Sequence, residues 1–163
     1  MLRAYIIDNQ AVARNLLTTV LNNGGHEVVG DGNHSATNFA RMVKLQPQIV
    51  CIDIGEPDKD GLALLESVRE QLPKALIFLV SAKMDSEIIQ AAQSRGVVGF
   101  IVKPFNAVAV LMSIRNTILR IAKQAKSQTK LAPDNDVAQA QGESPANSDE
   151  ALNDGGHQPD GQN

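Results

Sequence analysis

Short apolar runs recur along the first three quarters of the chain, separated by segments whose apolar residues fall at helical spacing. Residues 2–7, 28–29, 49–52, 75–80 and 97–102 predict five strands. Their near-continuous hydrophobicity is that of strands buried on both faces. Five helices are predicted between and after them. The first carries Val12, Leu16, Leu17, Val20 and Leu21 on one face and stops at Gly24-Gly25; the second runs from near Ser35 to just before Pro47. Asp60 is the expected N-cap of the third, with Leu62, Leu65 and Val68 inward, and Asp85 that of the fourth, which Gly96 ends. Asn106 is placed to cap the last helix, which the apolar pattern carries to about Lys123. Strand and helix alternating five times predict an α/β fold with a doubly wound parallel sheet, because each parallel crossover needs a helix.

The last 40 residues break this pattern. Residues 1–130 hold 15 Lys and Arg against 11 Asp and Glu, whereas residues 131–163 hold 7 acids and neither Lys nor Arg. Leu131, Val137 and Leu152 are the only larger aliphatics of that final stretch. Such a segment buries too little apolar surface to offset its ordering entropy, so the expected organisation is one domain over 1–123 and a disordered acidic tail over 124–163. With 163 residues there is no room for a second full catalytic domain.

Composition removes several classes of function. One Tyr, four Phe and no Trp leave little for stacking nucleic-acid bases. The positive charges Arg115, Arg120, Lys123 and Lys126 on the last helix read as a solvated face suited to a protein partner, not DNA. No apolar run reaches 18 residues and an acid appears as early as Asp8, so neither a membrane span nor a secretory leader is expected, and the location expected is cytoplasmic. The lone Cys51, inside an apolar strand, reads as a buried inert thiol. His26, His34 and His157 lack ligand spacing, and His26 and His34, at loop or helix edges, read as solvated. Gly30-Asp31-Gly32 lacks the third glycine of a dinucleotide-binding turn and follows the second strand rather than the first.

In an open parallel sheet, ligands bind beyond the carboxyl ends of the strands, so the residues that follow each apolar run carry the information. Four runs end in polar chemistry: Asp8-Asn9, Asp53, Ser81-Ala82 and Lys103-Pro104. If strands one and three are neighbours, as in the flavodoxin-like order 2-1-3-4-5, Asp8, Asn9 and Asp53 converge and offer hard oxygen ligands suited to Mg²⁺. Lys103 and the Ser81 hydroxyl would face the same anion, a set able to form and break an acyl phosphate.

Asp8-Asn9, Asp53 with Pro57 and Asp60-Gly61 after it, Ser81-Ala82 and Lys103-Pro104-Phe105 together resemble the receiver domain of two-component response regulators, over roughly residues 1–123. The resemblance implies that Asp53 is the phosphoacceptor and that Asp8 binds Mg²⁺ together with Asn9, Asp53 and the backbone carbonyl of Gly55. It further implies that Ser81 is the switch hydroxyl, Lys103 the lysine paired with the phosphoryl group, Phe100 the switch aromatic and Pro104 the cis-proline position. The implied partners are a histidine kinase or phosphotransfer protein and a downstream protein target. A homodimer through the fourth helix, fifth strand and fifth helix stays open. The implied chemistry is that of a signalling switch, with at most slow self-dephosphorylation.

Three positions depart from the family pattern. Receivers usually carry two adjacent acids after strand one, and Asn9 replaces the second, removing one negative charge from the metal site. Glu56 stands where a hydrophobic residue is common, and Lys83, two after Ser81, borders the site. Asn9 motivates an alternative, a pseudo-receiver that acts as a constitutive protein-interaction module. A nucleotide-using α/β enzyme has only the fold class behind it, since no phosphate loop is present.

Overall fold

The computed structural model describes residues 1–141, with side chains to residue 128. It contains β1 (Arg3–Ile7), α1 (Ala11–Asn23), β2 (Glu27–Gly32), α2 (Ala36–Leu45), β3 (Ile49–Ile52), α3 (Lys59–Gln71), β4 (Leu76–Ser81), α4 (Ser86–Gln93), β5 (Val97–Val102) and α5 (Ala107–Gln141). All strands are parallel, in the order β2-β1-β3-β4-β5. This is the flavodoxin-like arrangement predicted from the alternating pattern. The chain divides into two units, Met1–Arg120 and Ile121–Asn163. The second, over its described residues, is the continuation of α5 to Gln141.

Two apolar clusters flank the sheet, as the alternation of side chains along each strand requires. Tyr5, Ile7, Val50, Ile52, Ile77 and Leu79 pack with Met42 of α2, Leu65 and Val68 of α3 and Ala92 of α4. Ala4, Ile6, Ile49, Cys51, Phe78 and Val80 pack with Leu17 and Leu21 of α1 and Val110 and Ile114 of α5. Sealing between these layers pushes the Cys51 thiol up to about 12, so it stays protonated and inert.

Local chemistry explains where the elements differ from expectation. β2 extends through Gly30 and Gly32 rather than stopping at Val29, in register with Tyr5 to Ile7 of β1. Its glycines serve close packing: a Cβ on Gly30 would lie 2.6 Å from the Tyr5 ring, and one on Gly32 2.4 Å from the Asn38 side chain. The N-cap of α3 is Asp58, whose carboxylate accepts the Gly61 N–H at 2.9 Å, not Asp60, which sits in the first turn. Two acids two positions apart both suit a helix N-terminus, and the turn over 54–57 decides between them. Asp85 and Asn106 cap α4 and α5 as expected, accepting from Ile88 N–H at 2.9 Å and Ala109 N–H at 3.0 Å.

The last helix runs past Lys123 to Gln141. Its apolar periodicity does fade there, but Gln124, Ala125 and Lys126 are strong helix formers that carry it onward; propensity does not account for the helix through Pro133-Asp134-Asn135. The expected disordered tail was placed over 124–163; its part beyond residue 141 lies outside the described residues.

Gly61 marks where α3 meets the loop after β3. A Cβ there would sit 2.3 Å from the Glu56 carbonyl oxygen, a backbone atom that cannot swing aside. Gly61→Ala is expected to cost about 1–3 kcal/mol of unfolding free energy, measured in urea, because the loop must move to admit the methyl group.

Candidate phosphoacceptor site

Strands β1 and β3 are neighbours, so the residues that follow them meet at the carboxyl edge of the sheet. The ladder ends at Ile7 and Ile52, and Asp53 N–H still donates to the Ile7 carbonyl at 2.9 Å. Asp8 and Asp53 are thereby set side by side. A cleft of about 420 Å³ opens over them, and Asn9, His34, Gly55, Ser81, Lys83 and Lys103 also border it.

Lys103, at the end of β5, reaches both acids. Its Nζ lies 2.8 Å from Asp8 Oδ2 and 2.6 Å from Asp53 Oδ2. Asp8 is 4% exposed, so its carboxylate depends on partners rather than water. Its Oδ1 accepts the Gln10 N–H at 2.8 Å, and Gln10 Oε1 in turn accepts from Lys103 Nζ at 3.3 Å. Burial alone would lower the Lys103 pKa; the hydrogen bonds and charges of Asp53 and Asp8 outweigh it and hold the ammonium above its ordinary value. One cation therefore serves two carboxylates, leaving the cluster with a net negative charge.

The loop after β3 is shaped by Gly55, whose φ of +80° lies in the left-handed region and whose N–H donates to Asp53 Oδ1 at 2.7 Å. Ser81, ending β4, donates its hydroxyl to the Lys83 carbonyl at 2.9 Å and accepts the Lys83 N–H at 3.1 Å. Phe100 lies beside Leu79 in the sheet and is partly buried against the cluster that includes α3 and α4. The Lys103–Pro104 peptide bond is cis.

Asp8, Asn9, Asp53, Ser81 and Lys103 are thus gathered at one cleft, while Phe100 sits within the sheet rather than on the cleft wall. Two residues that sequence reasoning did not place here belong to the site's frame. Arg14 donates to the Asp8 carbonyl at 2.6 Å and ion-pairs with Asp31 at 2.9 Å, tying the loop after β1 to β2. His34, expected to be solvated, contacts both Asn9 and Asp53. The position of His34 within reach of the cleft follows from the β2-β1-β3 order alone; its bonds do not.

The donor set suits a hard cation. Asp8 and Asp53 offer carboxylate oxygens, Gly55 a carbonyl oxygen and Asn9 an amide oxygen, in a cleft wide enough for retained water. Among the described residues no three His, Cys, Asp or Glu side chains are gathered as a metal-binding group. Also among the described residues, no helix is long and apolar enough to cross a membrane.

Residues 4–115 match the response regulator receiver domain, and the chain belongs to that family. The chemotaxis protein CheY of Bacillus subtilis is 31% identical over 116 residues, covering 71% of this chain and 97% of CheY. A protein-glutamate methylesterase/protein-glutamine glutaminase of Archaeoglobus fulgidus is 29% identical over 128 residues, 77% of this chain, which spans 36% of that protein's length. Among solved structures, a response regulator from Thermotoga maritima matches with a TM-score of 0.64 at 22% identity, covering 71% of this chain and 96% of that one. The chemotaxis protein CheY4 of Vibrio cholerae matches with a TM-score of 0.62 at 21% identity, covering 72% and 98%. These two likenesses bear on the fold.

Proposed function

We propose that this receiver domain is a phosphorylatable switch whose phosphoacceptor is Asp53 and which signals through a protein-binding face. The observation that carries the reading is the single Lys103 ammonium shared by Asp8 and Asp53 at 2.8 and 2.6 Å. An Asp53 carboxylate oxygen attacks phosphorus of a phosphohistidine on a histidine kinase or phosphotransfer protein. The acyl O–P bond forms, the donor's P–N bond breaks, and the released imidazole takes up a proton. Lys103 stabilises charge on the phosphoryl oxygens, and the Ser81 hydroxyl exchanges its bond to Lys83 for one to the phosphoryl group. Asp8, Asn9, Asp53 and the Gly55 carbonyl would hold Mg²⁺, which when bound neutralises phosphoryl oxygens.

Phosphorylation replaces the single carboxylate charge at Asp53 with an acyl phosphate carrying about −2. Drawing Ser81 and Lys103 toward it biases the face built by α4, β5 and α5, where Phe100 follows the Ser81 hydroxyl. Val102, Val108 and Met112 are exposed on β5 and α5 and supply apolar surface for a protein partner, whether a downstream target or a second copy. A cytoplasmic location fits a switch of this kind, and no direct nucleic-acid contact is needed for it.

Incubation with a small acyl phosphate and Mg²⁺, read by intact mass spectrometry, tests the proposal: one added phosphoryl group is expected on the wild-type chain. Asn9→Asp is expected to tighten Mg²⁺ binding about tenfold, the effect of roughly 1.4 kcal/mol of added charge attraction in a partly solvated site. The charge lost at Asn9 favours one rival reading, a pseudo-receiver acting as a constitutive interaction module. If Asn9→Asp gains Mg²⁺ affinity while neither form takes up phosphoryl, that module is the correct reading.

A further inference from the structure

The carbonyl of Asp53 lies beyond the sheet's own ladder, which ends at Ile7 and Ile52. An unpaired carbonyl in such a place would leave the loop after β3 free to pivot. The partner it has is His34, whose Nε2 lies 2.5 Å away. On its other side the imidazole Nδ1 is 3.3 Å from Asn9 Nδ2, and the His34 backbone N–H donates to Asn9 Oδ1 at 2.9 Å.

These contacts determine one another. A carbonyl oxygen only accepts, so Nε2 carries the proton. The Asn9 oxygen faces a backbone N–H, so the Asn9 amide nitrogen faces the ring and Nδ1 is the unprotonated acceptor. Turning the amide over would set donor against donor at the His34 backbone N–H and acceptor against acceptor at the ring. Asn9 and Asp53, 44 residues apart in sequence and on different loops, are thereby joined through one side chain.

We propose that His34 is a positioning residue of the phosphoacceptor site: its imidazole locks the Asn9 side chain and the Asp53 main chain into one unit that presents their oxygens together. The proposal rests on the reading of Asp53 as phosphoacceptor. It gives Asn9 a role that the loss of an acid would otherwise leave empty, since orientation by His34 compensates in part for missing charge. Outer groups that orient ligands commonly change metal affinity by about 10- to 100-fold when removed.

The test uses the full chain and two kinds of measurement. Long-range ¹H–¹⁵N correlation of the His34 ring at pH 7.5 is expected to report protonated Nε2 and bare Nδ1; the opposite tautomer overturns the proposal without any substitution. Mg²⁺ with beryllium fluoride, a stable mimic of the acyl phosphate, is then titrated by amide NMR into wild type, His34→Ala and His34→Gln. His34→Ala is expected to bind about tenfold more weakly and to move the Asp53 carbonyl ¹³C resonance upfield, as a lost donor requires. Gln places an N–H near the Nε2 position, so His34→Gln is expected to recover most of both signals. Equal binding by all three, or a Gln variant as weak as the Ala variant, overturns the positioning role while leaving the phosphoacceptor reading in place. No response from wild type at saturating Mg²⁺ overturns both.

Discussion

Asp53→Asn is expected to take up no phosphoryl group from an acyl phosphate or a phosphohistidine donor, a loss on the order of a thousandfold or more. An amide is not a competent nucleophile toward phosphorus, and no second carboxylate can take its place without leaving its own partner: Asp8 is bound to Gln10 and Lys103. The fold should not suffer. The new amide keeps the oxygen that accepts the Gly55 N–H, and Lys103 keeps Asp8. Because a buried and a partly buried carboxylate now share one ammonium, removing one charge relieves repulsion, and urea unfolding should show Asp53→Asn as stable as wild type or more so by about 1 kcal/mol. A variant that is inactive because it is unfolded, or one that retains phosphoryl uptake, would contradict this account.

Lys103→Met is expected to do the reverse to stability while also blocking the switch. It leaves Asp8 and Asp53 facing each other with no cation, at side-chain exposures of 6% and 16%. Breaking a largely buried pair by removing one partner costs about 3–5 kcal/mol, and partial exposure should hold this case near 2–3 kcal/mol. Millimolar Mg²⁺ should restore much of the loss, since one cation substitutes for another, yet phosphoryl uptake should stay low without the ammonium. The pH dependence has a definite sign. The folded chain holds the Lys103 proton more tightly than the unfolded chain does. Its contribution is therefore complete below the unfolded pKa of about 10.4 and is lost only as pH rises through the higher folded value. Wild type and Lys103→Met should stay a constant distance apart from about pH 6 to 9 and converge in stronger alkali.

Much of this site was legible because the sheet is simple. Strands buried on both faces read as unbroken apolar runs, and the first polar residue after each run marks the edge where ligands bind. Asp8, Asp53, Ser81 and Lys103 all announced themselves in that way. β2 did not, because its last three residues, Gly30-Asp31-Gly32, are shaped by Tyr5 and Asn38 rather than by hydrophobicity. The sequence points to Asp60 as the α3 cap, but Asp58, two positions earlier and equally suited to a helix start, holds that place. The apolar periodicity ends α5 near Lys123, whereas the helix continues to Gln141 through Pro133, an extension that neither periodicity nor propensity foretells. His34 was missed for a different reason. Its significance lies in bonds to residues 25 and 19 positions away, and nothing in its own neighbourhood distinguishes it from a solvated loop histidine.

Tyr5 brings an unplanned convenience. It is the chain's single tyrosine, there is no tryptophan, and its ring is wholly enclosed between β2 and the core. Its hydroxyl donates to the Asn38 carbonyl at 3.3 Å, in the first turn of the helix that follows His34. Intrinsic ultraviolet emission from this protein therefore comes from one well-shielded fluorophore next to the helix start adjoining the His34 loop. The native chain carries its own optical reporter, so shifts of that helix can be followed in stopped-flow time without attaching a dye.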